Sequence, residues 1–116
     1  MKLVNLTPHE VVVYGEDGGI RLRIPPSGTV ARVSTKSVIV GEINGVPVRA
    51  TEYGDVTGLP DPEPGTVYIV SSVLLIALRA KGINRDDVVA PDTNPDSVIR
   101  DPEGRVIGVK YFQVVR

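Results

Sequence analysis

Short apolar runs separated by turn residues occupy the first two-thirds of the chain. Runs at residues 3–6 and 10–14 flank Thr7-Pro8-His9, and residues 20–24 alternate apolar side chains with arginine. Glu16-Asp17-Gly18-Gly19 separates the second run from the third and is typical of a tight turn. Because alternation with period two places one apolar face on a strand, this pattern predicts the start of a β-meander.

The dipeptide Asn44-Gly45 is the strongest hairpin signal in the chain. It lies between apolar runs at residues 38–43 and 46–51, and both of its residues tolerate the positive φ of a two-residue hairpin turn. Pro47 has no amide hydrogen to donate, so its strand is predicted to lie at a sheet edge or a bulge. Residues 29–34 are predicted as one further strand.

The pattern changes after residue 66. Residues 67–70 form a short apolar run, residues 73–81 are mostly good helix formers, and Gly82 suits the left-handed end of a helix. Residues 87–90 form a second apolar run. This order predicts a parallel βαβ crossover over residues 67–90. The fold class is therefore α+β, a β-rich single domain over residues 1–116 with hairpins, a mixed sheet and one helix.

Two further segments complete the predicted organisation. Residues 58–65 carry alternate prolines, so they form a stiff connector rather than a strand. Residues 105–115 are apolar on both faces and are predicted as one long final strand, either central in a sheet or at a subunit interface. Residues 97–100 are predicted as a short strand before it.

Composition and charge exclude several classes of protein. The chain has 116 residues, a net charge of -1 and 4% aromatic residues, so neither a basic surface nor stacking platforms favour nucleic acid. It contains no cysteine, no signal-peptide pattern and no apolar run long enough for a membrane span, which predicts a cytoplasmic protein. One methionine and ten prolines are compatible with a thermophilic source.

His9 is the only imidazole and therefore the only ordinary candidate for a general base. The chain has no cysteine nucleophile and no Gly-x-Ser-x-Gly elbow, so catalysis would require acidic residues from other loops. The alternative is structural, with Thr7 and His9 fixing a turn around Pro8. One histidine, no cysteine and no nucleophile motif favour a binding protein over an enzyme, and no catalytic residue is assigned.

The start of the predicted helix is the best candidate for a ligand site. Ser71 and Ser72 follow a strand at the end where open α/β sheets bind ligands, and the helix there offers free amides that suit an anion. Asp92 and Thr93 follow the other crossover strand and are expected at the same end. The alternative is that these residues only cap the helix and a turn. The candidate binding residues are Thr7, His9, Ser71, Ser72, Asp92 and Thr93.

Residues 92–103 match an EF-hand calcium loop at positions 1, 3, 5 and 12. However, Ser97 replaces the glycine that the sharp turn needs, and Pro95 and Pro102 constrain the loop. A β-pattern also replaces the exiting helix. We therefore expect turns in which acidic side chains bond their own backbone, with no metal and no other cofactor.

Several short motifs resemble those of small proteins encoded in bacteriophage and prophage genomes, of about this length. The motifs are Asn5-Leu6-Thr7-Pro8-His9, Pro25-Pro26-Ser27-Gly28, Thr51-Glu52-Tyr53-Gly54, Tyr68-Ile69-Val70-Ser71 and Arg85-Asp86-Asp87. The resemblance implies an accessory role for a virus or mobile element, in the host cytoplasm if viral, and it transfers no catalytic or binding residue.

The combined expectation is a non-enzymatic accessory binding protein. It would be a homo-oligomer, because of the two-sided final strand and several candidate edge strands. Its ligand would be a small anionic, nucleotide-like molecule, or its target a host protein that it inhibits. The alternatives are a small hydrolase or lyase using His9, and a structural component of the virion.

Overall fold

The computed structural model describes residues 1–115, which form two four-stranded sheets, a separate two-stranded ribbon and one α-helix. No helix among these residues is long and apolar enough to cross a membrane. The elements are β1 (Lys2–Asn5), β2 (Val11–Tyr14), β3 (Ile20–Ile24), β4 (Arg32–Ile43), β5 (Val46–Thr57), β6 (Thr66–Ile69), α1 (Ser72–Ala80), β7 (Val88–Pro91), β8 (Val98–Arg100), β9 (Val106–Val109) and β10 (Phe112–Gln113).

The first sheet has the order β1-β6-β7-β10, and its first three strands are parallel. Tyr68 of β6 pairs with Val88 of β7, so the predicted parallel βαβ crossover is confirmed. The helix ends as its glycine predicts: Gly82 has φ +70°, and the Ile83 amide donates to the Leu78 carbonyl at 2.9 Å. This is the Schellman arrangement, which satisfies carbonyls that the helix leaves free.

The second sheet has the order β3-β2-β9-β8. The pairs β2–β3 and β8–β9 are antiparallel, whereas β2 and β9 are parallel. The predicted hairpin of residues 10–24 is therefore present. The run at residues 3–6, which was predicted to begin the meander, does not join this hairpin. It belongs to β1, which pairs with β6 in the first sheet.

The two sheets and the helix pack as three layers around β6. Tyr68 and Val70 contact buried Leu74 on the helix side, whereas Ile69 packs with Val109 and the second sheet. Successive side chains of a strand point to opposite faces, so a run that is apolar on both faces is what a middle layer requires.

The ribbon of β4 and β5 is longer than predicted. Asn44 and Gly45 have φ values of +52° and +82°, as expected for the hairpin turn, and the segments at 29–34 and 38–43 contribute to one strand, β4. Because the ribbon has only two strands, Pro47 lies on an edge, as predicted. The ribbon makes the molecule elongated, with a radius of gyration of 16.4 Å, against about 13 Å for a compact chain of this length.

The prediction of one long final strand at residues 105–115 is wrong. The chain bends after Val109, so β9 belongs to the second sheet and β10 to the first. Ser97 holds the bend: its buried hydroxyl accepts hydrogen bonds from the amides of Lys110 and Tyr111, at 3.3 and 3.2 Å. The Lys110 amide also donates to the Ser97 carbonyl at 2.8 Å. Ser97 thus supplies, through its carbonyl and its hydroxyl, the acceptors that these two amides need where the strand is interrupted.

The proline-rich connector at residues 58–65 carries no strand between Gly58 and Gly65, as predicted. It is fastened to the body by Arg85, whose Nη2 donates to the Pro60 carbonyl at 2.9 Å. The same guanidinium makes a bidentate ion pair with Asp87, with N–O distances of 2.8 and 2.9 Å.

Candidate functional site

A groove of about 390 Å³ lies at the carboxyl ends of the three parallel strands. The chain leaves β1 at Leu6-Thr7, β6 at Val70-Ser71 and β7 at Asp92-Thr93, so each strand delivers a polar residue to this edge. Five of the six candidate residues line the groove: Thr7, His9, Ser71, Ser72 and Thr93. Asp92 is not among the lining residues.

Asn5 fixes the turn that carries Thr7 and His9. Its side chain is 1% exposed. Its Nδ2 donates to the carbonyls of His9 and Ile24 at 2.8 and 2.9 Å. Its Oδ1 accepts from the Thr7 amide at 2.9 Å and from the Thr7 hydroxyl at 2.7 Å. The turn interpretation of Thr7 and His9 therefore has a structural basis, and Asn5 was missed although it was the one polar residue in the run at 3–6.

The His9 side chain is exposed, and within residues 1–115 no hydrogen bond holds its ring. A general base in a nucleophile–base pair needs a third group that fixes its orientation. Beside it, Glu10 is paired with Arg23 at 2.9 Å, which partly neutralises the carboxylate at the rim. This end of the groove therefore offers an exposed imidazole and no assembled catalytic set.

The start of α1 supplies the hydrogen-bond donors of the groove. Ser71 is the N-cap, and its Oγ accepts from the Leu74 amide at 3.3 Å, as the capping interpretation predicts. Its carbonyl accepts from the Leu75 amide at 3.1 Å. The amides of Ser72 and Val73 receive no acceptor from residues 1–115, which is usual for the first turn of a helix. The Ser71 hydroxyl retains its hydrogen for donation.

The rest of the groove is mostly apolar. β9 supplies Val106 and Ile107, which are 51% and 42% exposed, followed by Gly108 and Val109. The other apolar lining residues are Pro8, Val11, Val12 and Pro91. The groove thus has a polar end at α1 and an apolar wall from the second sheet. No pattern in the sequence indicates this wall, because β9 reaches it only through its pairing with β2.

Asp92 is occupied by its own turn. Its Oδ1 accepts from the Asn94 amide at 2.9 Å and from Asn94 Nδ2 at 2.7 Å. Asp101 makes the equivalent contacts with the amides of Glu103 and Arg105, both at 2.9 Å. The backbone turns predicted for residues 92–103 are confirmed. Among residues 1–115, no three or more acidic or histidine side chains stand close enough to hold a metal ion.

A second, larger depression of about 820 Å³ lies beside the end of α1, between Ile83 and Val114. It includes Arg85, but that guanidinium already bonds Asp87 and the Pro60 carbonyl. Its positive charge is therefore committed to holding the fold. The depression also includes Arg79, but among residues 1–115 no group of strand ends and no helix start converges on it. The strand-end groove, where three parallel strands and the start of α1 meet, is the better candidate site although it is smaller.

Comparison with protein-family models, curated proteins and solved structures gives no match. The resemblance to phage and prophage proteins thus stays a prediction.

Proposed function

We propose that this protein is a non-enzymatic binding protein that holds a small amphiphilic anion in the strand-end groove. One observation carries the proposal: the carboxyl ends of three parallel strands and the start of α1 converge on one open, largely apolar groove. Ligands of open α/β sheets bind at this end of the strands.

The polar end of the groove suits a carboxylate or phosphate. The free amides of Ser72 and Val73 and the Ser71 hydroxyl can donate to it, and the helix adds about half a positive charge at its start. Asp92, which would repel an anion, does not line the groove and is engaged by Asn94.

The apolar wall determines the rest of the ligand. Val106 and Ile107 are exposed to solvent, so covering them with a hydrocarbon or flat ring would remove apolar surface from water. A purely inorganic anion leaves this wall uncovered. The preferred ligand therefore combines one anionic group with an apolar or heterocyclic body, a class that includes nucleotide-like molecules.

The binding proposal fits the site better than the catalytic alternative. His9 has no side chain holding its ring among residues 1–115, and the Thr7 hydroxyl already contacts Asn5. A cytoplasmic protein of a phage or prophage that sequesters a small host molecule is the biological setting that we propose for this activity. Inhibition of a host protein and a place in the virion remain alternative proposals.

The test is an NMR titration of labelled protein with three probes: octanoate, octanol and inorganic phosphate. We expect octanoate to shift the amides of Ser72 and Val73 and the methyl groups of Ile107, and to bind more tightly than either of the other two. Ser72→Asp should weaken octanoate binding by about tenfold, because it puts a negative charge at the helix start.

The matched control is Ser37→Asp, the same substitution on an exposed residue of β4 outside the groove. It should leave octanoate affinity unchanged. The assignment of the groove is wrong if octanoate shifts residues elsewhere, or if Ser72→Asp binds it as tightly as the unmodified protein.

A further inference from the structure

The outer part of the ribbon presents an apolar face that is largely exposed within residues 1–115. Val46, Val48 and Ala50 alternate along β5 and point to one side, and the residues paired with them on β4 point to the same side. We call these six residues the ribbon face: Val38, Gly41, Ile43, Val46, Val48 and Ala50. Ile43 and Val46 are 66% and 63% exposed.

We infer that the ribbon face is a dimer interface and that its occupant is a second copy of this chain. The first argument is self-complementarity. The face is bounded by polar residues at both ends, Asn44 at the tip and the cross-strand pair Lys36 and Glu52 towards the body. Two such faces stacked in opposite directions about a twofold axis cover each other's apolar centre and bring polar end to polar end.

Charge supports a copy over a strongly charged partner. Between residues 36 and 52 the ribbon carries Lys36, Arg49, Glu42 and Glu52, so its net charge is zero. A nucleic acid or a highly acidic protein would gain no net attraction there. Two copies meet without net repulsion. The charges of Lys36 and Glu52 cancel within each copy, because the two residues are cross-strand neighbours.

The available area is sufficient for a weak dimer. A Val or Ile side chain hides about 60 to 120 Å² when fully buried, so the partly exposed face offers about 200 to 400 Å² per copy. Since apolar atoms form about 57% of a typical interface, the whole contact would hide about 700 to 1,400 Å². A biological interface needs about 1,000 Å², so we expect a dimer with a micromolar dissociation constant.

The test is sedimentation equilibrium of the full chain from about 5 to 500 µM, a range that brackets a micromolar equilibrium. The mass should rise from the 12.4 kDa of one chain towards twice that value. Ile43→Lys should remain monomeric throughout, because it would force a charged ammonium group into the apolar contact, against the Val38 and Ala50 end of the second copy's ribbon face. Ile20→Lys makes the same change at a 47% exposed isoleucine of β3 and should dimerise like the unmodified protein.

Both substitutions are at exposed positions, and circular dichroism with thermal melting will show whether each variant is folded. A mass of one chain at every concentration would overturn the inference. A dimer that Ile43→Lys leaves intact would overturn it as well, because the interface would then lie elsewhere. Neither result bears on the groove, since octanoate binding is measured separately.

Discussion

Replacing Asn5 by aspartate tests whether this side chain organises the turn at the mouth of the groove. The two side chains are nearly identical in shape, and an aspartate can still accept from the amide and hydroxyl of Thr7. It cannot make the two donations from Nδ2, at 2.8 Å to the His9 carbonyl and 2.9 Å to the Ile24 carbonyl. A carboxylate oxygen would instead face two carbonyl oxygens at a site that is 1% exposed.

The expected loss is large. Each buried polar group that loses its partner costs about 1 to 3 kcal/mol, and a charged group costs more, so we expect Asn5→Asp to lose about 4 kcal/mol at pH 7. At about 4 °C per kcal/mol for a chain of this size, the melting temperature should fall by about 15 °C. Asn84→Asp is the matched control, because that asparagine is exposed, and it should stay within about 0.5 kcal/mol of the unmodified protein.

The pH dependence has a definite sign. Burial and the facing carbonyls raise the pKa of the introduced carboxyl above its unfolded value of about 3.9. A group with a raised folded pKa contributes its stability below the unfolded pKa and loses it as the pH rises through the folded pKa. The deficit of Asn5→Asp relative to the unmodified protein should therefore shrink at pH 4, where a protonated carboxyl can donate one hydrogen bond. Urea unfolding at pH 4 and pH 7 measures this, and a deficit that is absent at pH 7 or larger at pH 4 would refute the reasoning.

Two further predictions concern how the body is held together. The hydrogen bonds of the Arg85 guanidinium keep the pKa of Asp87 below its usual range, so Asp87→Asn should cost about 1 to 2 kcal/mol at pH 7. That cost should vanish as the pH falls from about 4 through the folded pKa, which urea unfolding at pH 7 and pH 2 would show or contradict. Gly58 has φ +79°, and an added Cβ would lie 2.5 Å from the Val30 carbonyl oxygen, so Gly58→Ala should cost about 3 kcal/mol. Gly18 has φ +83° and no atom within 4 Å of an added Cβ, so Gly18→Ala should cost only about 1 kcal/mol, and equal melting temperatures for the two variants would contradict the packing argument.

The features that sequence reasoning predicted correctly are those specified by neighbouring residues. Asn44-Gly45 determines a turn through its own φ preferences, and Gly82 ends α1 through hydrogen bonds that reach back only five residues, from Ile83 to Leu78. The βαβ crossover followed from the order of short apolar runs. Because the two strands of that crossover are parallel, Ser71 and Thr93, which follow them, were predicted to lie at the same end of the sheet.

The features that were missed depend on residues far apart in the chain. Periodicity alone cannot distinguish one strand over residues 105–115 from two strands that belong to different sheets. The bend between the two strands is held by Ser97, which lies 13 and 14 positions before Lys110 and Tyr111, whose amides donate to it. The apolar wall of the groove depends on the pairing of Val13 with Val109. No local pattern reveals that pairing, so the polar half of the groove could be predicted from the sequence and the apolar half could not.

The pairing of β1 with β6 has a consequence for the order in which the chain folds. Lys2 pairs with Thr66, which is 64 residues later, so at about 5 to 20 residues per second roughly 3 to 13 s of synthesis separate the two partners. Throughout that interval the hydrogen-bonding edge of β1 has no partner. The hairpin turn at Asn44-Gly45 and the crossover helix close short loops and can form early, whereas the first strand must wait. We therefore expect the first sheet to complete late, with docking of the N-terminus as the slow step of folding.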